Sequence, residues 1–97
     1  MAKATLLKEN NELLIKGTLD FTTVAELWKD SLPLLAGLHT ININLSGVTS
    51  ANSAGLALLL EWLKYADHQN KKIIFENLPD QLMSVAKLVD MEGLFPL

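Results

Sequence analysis

The chain has 97 residues, 49% of them apolar, no cysteine, and a net charge of −3 from eleven acids and eight bases. That suffices for one small domain with a compact core; it excludes disorder, disulfides and thiolate metal sites. An acidic balance also argues against nucleic acid as a partner, because counterion release needs a clustered basic surface.

The opening stretch, MAKATLLKENNE, lacks the apolar run of a signal peptide. The longest uninterrupted apolar run, Leu56 to Leu60, falls far short of the ~20 residues that span a membrane. These features lead to the expectation of one domain over residues 1–97, cytoplasmic and with no direct membrane insertion. Thr5 to Lys8 and Leu13 to Lys16 are short apolar stretches joined by Glu9-Asn10-Asn11-Glu12. Asn tolerates positive φ, so Asn10-Asn11 suits the centre of a tight hairpin. Gly17-Thr18-Leu19-Asp20 ends the second strand.

A helix opens near Thr23, with Glu26 three residues on at capping-box spacing. Val24, Leu27, Trp28, Leu32 and Leu35 define its buried face at helical spacing, and Gly37 ends it past Pro33. Ile41, Ile43 and Leu45 then alternate with Asn42 and Asn44, the two-residue period of a strand. Ser46, Gly47, Thr49, Ser50, Asn52 and Ser53 follow and read as a polar turn. From Leu56 the chain is too apolar for a loop and reads as a second helix. Lys71-Lys72 is a solvated turn leading into a strand over Ile73-Ile74-Phe75. A third helix starts at Asn77-Leu78-Pro79-Asp80, carries Leu82, Val85, Ala86 and Val89 as its apolar stripe, and is followed by Gly93. The order β-β-α-β-α-β-α implies an α/β domain: a mixed, mostly parallel sheet with helices mainly on one face. Trp28, Leu56, Leu60 and Val85 are expected in the core.

Ser53 is the most informative single residue. The first N–H groups of a helix lack intrahelical partners, so its hydroxyl sits where an anion, a phosphorylated side chain or a partner's carboxylate is favoured. A plain helix cap explains Ser53 as well, with Ser50 and Asn52 as rival caps. On the second helix, Leu56, Leu59, Leu60 and Leu63 form the core stripe, and Glu61, Lys64 and His68 lie opposite with Ala57. Leu58, Trp62 and Tyr65 fill a third sector. Either the neighbouring helix covers that sector, or Leu58 and Trp62 stay partly exposed and anchor a partner.

His39 and His68 have no ligand-spaced companions and read as surface residues. Asp20 reads as a bonding partner for backbone N–H groups at the entry to the first helix. No catalytic triad, phosphate-binding loop, dinucleotide fingerprint or carboxylate pair is present, so the expectation is a binding module without catalytic residues, cofactor or metal.

Gly17-Thr18-Leu19-Asp20 and Asn52-Ser53-Ala54-Gly55-Leu56 resemble the two signatures of the STAS domain. The likeness spans essentially the whole chain. Within that family, Gly55 to Leu60 and Val85-Ala86-Lys87-Leu88 are most similar to the MlaB-type small subunit of the Mla phospholipid-transport complex. The resemblance implies a protein partner, the cytoplasmic ATPase subunit of a lipid ABC transporter. It also implies contact through the start of the second helix: Asn52, Ser53, Ala54 and Gly55. The alternative branch is the anti-sigma factor antagonists, which bind a kinase-type anti-sigma factor and are released by phosphorylation, here at Ser53. Two departures stand out. Antagonists usually carry Asp-Ser where this chain has Asn52-Ser53. The Mla subunit typically carries Thr-Gly where it has Ser53-Ala54.

Overall fold

Glu9-Asn10-Asn11-Glu12 folds the chain back on itself, with Asn10 at φ +55° in the region Asn tolerates. The hairpin joins β1 (Ala4–Glu9) to β2 (Glu12–Leu19) in antiparallel register, Glu9 opposite Glu12 and Leu6 opposite Ile15. The computed structural model describes residues 3–91 and Gly93. Beyond the hairpin run α1 (Val24–Ala36), β3 (Thr40–Ala51), α2 (Ser53–His68), β4 (Lys72–Glu76) and α3 (Asp80–Leu88). The four strands lie in the order β1-β2-β3-β4, with β3 parallel to both β2 and β4. This is the expected single α/β domain with a mixed sheet.

Alternation along the strands decides which face is covered. Leu13, Ile15 and Leu19 on β2, Ile41, Ile43 and Leu45 on β3, and Phe75 on β4 are buried. Their intervening neighbours Glu12, Leu14, Asn42, Asn44 and Ile74 are half-buried. The helices therefore pack on one face, and the other stays open, with Leu14 and Ile74 set among polar residues. On that open face Asn44 donates through Nδ2 to Glu12 (2.6 Å) and accepts from the Asn77 amide (3.0 Å).

The polar run after Leu45 is strand, which corrects the reading of a turn. β2 continues beside it, and β3 takes one extra residue between Asn44 and Gly47 and another between Val48 and Ser50. Two bulges thus let small polar residues stay paired, because β2 supplies backbone partners that the polar side chains need not replace. Gly17, on β2, has φ +99°, and a Cβ there would run into the Lys3 carbonyl oxygen, so only glycine fits.

Helix burial differs from the expected stripes. On α1 the buried positions are Leu27, Ser31 and Leu35, while Val24, Trp28 and Leu32 are half-buried. Thr23 precedes α1 without capping it: its hydroxyl donates to the Thr18 carbonyl (2.8 Å) and accepts from the Asp20 N–H (3.0 Å), so no capping box forms. On α2 the buried row is Ala54, Gly55, Leu56, Leu58, Leu59, Trp62 and Ala66. Leu56 is in the core as expected, whereas Leu60 and Val85 are half-buried against it. On α3, Leu82 and Ala86 are buried; Val89 lies past the helix end and is half exposed. Among the described residues no helix is long and apolar enough to cross a membrane.

Lys71 is also corrected. Its ammonium donates to the carbonyls of Leu35 (3.0 Å), Ala36 (3.1 Å) and Leu38 (2.6 Å), satisfying the C-terminus of α1 rather than facing solvent.

Candidate functional site

The C-terminal ends of parallel strands gather the loops that enter the following helices. Here Leu19 pairs with Ala51, and the Asn52 N–H donates to the Leu19 carbonyl (3.1 Å). The β2–α1 loop, Asp20 to Thr23, therefore lies beside the β3–α2 junction at Asn52-Ser53. The start of α3 joins them through Gln81, whose Oε1 accepts from the Ala51 N–H (2.6 Å).

Asn52, in extended conformation, is the N-cap of α2: its Oδ1 accepts from the Ala54 N–H (2.9 Å) and its carbonyl from the Gly55 N–H (2.9 Å). With that role taken, Ser53 is the first helical residue and is exposed, and its side chain makes no hydrogen bond among the described residues. Ser53 is not the cap. Just below, Gly55 is buried, and a Cβ there would press on Leu82 (3.0 Å) and on the Leu19 Cβ (3.1 Å). The absence of a side chain draws the helix start tight against β2 and α3.

The neighbouring loop is equally well held. The Asp20 carboxylate accepts from the Thr22 hydroxyl (2.6 Å) and the Thr22 N–H (2.8 Å). Those bonds, led by the one from the Thr22 hydroxyl, hold its carboxyl below the usual carboxylate range. Phe21 stands on this braced loop and is 76% exposed. Sequence reasoning missed it because a lone Phe between polar residues carries no periodicity; its place in a four-residue turn between strand and helix was the available signal.

Of the residues expected at the site, Asn52 and Ser53 are exposed, while Ala54 and Gly55 are buried beneath them. Leu58 and Trp62 are not on the surface. Trp62 is 0% exposed and its indole N–H donates to the Ser31 hydroxyl (2.9 Å), which in turn donates to the Trp28 carbonyl (2.7 Å). The third sector of α2 is thus covered by α1, where Trp28 and Tyr65 also meet edge to face at 6.3 Å. The reason is geometric: α1 lies alongside α2, so the helix needs a buried surface wider than one stripe. Among the described residues no group of acids and histidines is placed to hold a metal.

Residues 5–96 match the family model described as "Mlab, STAS domain". The chain is 30% identical over 84 residues to the anti-sigma-B factor antagonist of Staphylococcus epidermidis, covering 86% of this chain and 75% of that one. It is 27% identical over 85 residues to the intermembrane phospholipid transport system binding protein MlaB of Escherichia coli, covering 88% and 86%. The fold resembles that of the unphosphorylated anti-sigma factor antagonist SpoIIAA, with a TM-score of 0.71, 18% identity and coverage of 96% and 85%. It also resembles an anti-sigma factor antagonist from Mycobacterium paratuberculosis, with a TM-score of 0.75, 17% identity and coverage of 100% and 85%.

Proposed function

Because this chain belongs to the STAS-domain family, whose members here are protein-interaction modules, we propose that it is a non-catalytic, cytoplasmic subunit that binds and regulates the ATPase of a phospholipid-transport ABC complex. Its role is then to support the lipid asymmetry of the outer membrane from the inner-membrane side. Support comes from the match to the MlaB model over residues 5–96 and from similarity over 86% of the E. coli MlaB chain.

The observation that carries the docking surface is the division of labour at the start of α2. Asn52 caps the helix and leaves Ser53 exposed, and the Asn52 N–H bond to the Leu19 carbonyl sets this junction next to the braced loop that carries exposed Phe21. An exposed aromatic on a rigid turn offers a partner large contact area at little entropic expense. Ser53, at the helix N-terminus, is a donor for the partner in the uncharged state. A charge placed there and pressed against the partner without a counter-ion opposes binding by about 3–5 kcal/mol.

The test is affinity for the ATPase subunit of a phospholipid ABC transporter, measured with the parent, Phe21→Ala and Ser53→Glu. Each variant should weaken binding while leaving thermal unfolding nearly unchanged. Undiminished binding by both places the contact surface elsewhere. The second reading, an anti-sigma factor antagonist, draws on the 30% identity to the S. epidermidis protein. Capture of a kinase-type anti-sigma factor, with phosphate transferred to Ser53, would select it over the first.

A further inference from the structure

Among the described residues β1 is an edge strand, and its alternation states which backbone groups it leaves unpaired there. The Thr18 N–H donates to the Lys3 carbonyl (3.0 Å), so Lys3, Thr5, Leu7 and Glu9 are the positions bonded to β2. Ala4, Leu6 and Lys8 therefore turn their N–H and C=O groups outward, away from the sheet. Such an edge is a template for another strand. Beside it runs a groove of about 410 Å³, floored by Ala4, Leu6 and Leu27 and walled by Glu26 and Asp30 of α1. Leu7, on the opposite face of β1, is 50% exposed.

We propose that β1 is the pairing edge of a two-fold symmetric dimer, in which β1 of one copy runs antiparallel to β1 of a second and the two sheets become one of eight strands. The segment is complementary to itself about Leu6. With Leu6 opposite Leu6 of the second copy, the outward positions face each other as Ala4 with Lys8, Leu6 with Leu6 and Lys8 with Ala4, giving about six backbone hydrogen bonds. Lys8 lies opposite Leu13 within its own sheet, on the face the helices cover. Across the dimer it sits next to Ala4 of the other copy, at the groove whose wall carries Glu26 and Asp30. On the open face Lys3 meets Glu9 of the second copy at both ends, and Leu7 lies against Thr5. A lysine on an edge ordinarily guards it against pairing; here the same lysine has two carboxylates waiting on a second copy and none directly across its own strand. A two-fold axis uses each of these contacts twice. The paired strand is separate from Asn52 and Ser53, which lie beyond β2, while the groove reaches Thr22 and Thr23 of the loop that carries Phe21.

Sedimentation of the purified chain at about 100 μM, where mass action favours association, should show a dimer. Lys8→Glu should weaken it by about tenfold or more, since the new charge faces Glu26 and Asp30 twice. Lys3→Glu and Glu9→Lys should each weaken the dimer, and the two together in one chain should restore it, because the swapped charges again face opposites. Thermal unfolding of each variant shows that it keeps the monomer fold; the positions are exposed, so little change is expected. A monomeric parent at that concentration overturns the proposal, as does a dimer indifferent to all three single substitutions. A double variant no tighter than the singles overturns the register.

Discussion

At the N-terminus of α2, two adjacent polar residues of similar size have different tasks. Asn52 holds the Ala54 N–H and Ser53 holds nothing within the described chain. Asn52→Ala should therefore lower stability by about 1 kcal/mol, the usual worth of a cap. Ser53→Ala should leave it within about 0.5 kcal/mol; urea titration of the two variants checks both. Asp20 gives a pH signature. Its carboxyl, bonded by Thr22, ionises at lower pH in the folded chain than in the unfolded one. The ionised form thus favours the fold above the unfolded value, and that contribution disappears as pH falls through and below about 4. Asp20→Asn, which does not titrate, should show a shallower loss of stability across that acid window in pH-dependent unfolding.

The helices are held at their ends and seams by single polar contacts that apolar patterning does not disclose. Lys71, donating to the last two carbonyls of α1 and to that of Leu38 just beyond, ties that helix to the start of β4. Charge at a helix C-terminus together with charged hydrogen bonds suggests that Lys71→Met lowers stability by about 1–2 kcal/mol. A matching change in denaturation midpoint, with an unchanged slope, is the expected result. Between α1 and α2 the Trp62 indole N–H is buried on the Ser31 hydroxyl. Ser31→Ala leaves that donor unsatisfied, at a cost of about 1–3 kcal/mol, larger than the loss of a small side chain alone. Differential scanning calorimetry of Ser31→Ala beside an exposed control such as Ser84→Ala measures the difference.

For the molecule as a whole, Trp62 is the largest fully buried side chain, set in the apolar core with its indole N–H on Ser31 of α1. A domain of this size has only about 5–15 kcal/mol of stability to lose. Trp62→Ala should remove about 3–5 kcal/mol of it. The melting temperature of the free chain should fall steeply, whereas partner affinity per folded molecule should hold, the reverse of the pattern expected for Phe21→Ala. The arrangement separates what keeps the domain folded from what it presents: core on one face of the sheet, a largely polar open face on the other, and exposed Phe21 and Ser53 at the strand ends.

Element order, the hairpin at Asn10-Asn11, the helix starting after Pro79 and the covered face of β2 and β3 were legible in the amino-acid sequence, because each rests on local periodicity or on a residue's own backbone preference. The place of the Asn52-Ser53 junction between β3 and α2 was legible too, since a strand followed at once by an apolar helix leaves little choice of where the chain turns. The tertiary structure alone decided the rest. β3 extends through Ser46 to Ala51 because β2 runs on beside it, a pairing between residues distant in the chain. Lys71 is a cap because α1 happens to end where β4 begins. Trp62 is core rather than surface because α1 lies against α2, and a helix's periodicity states how wide its apolar surface is but not how many neighbours will cover it.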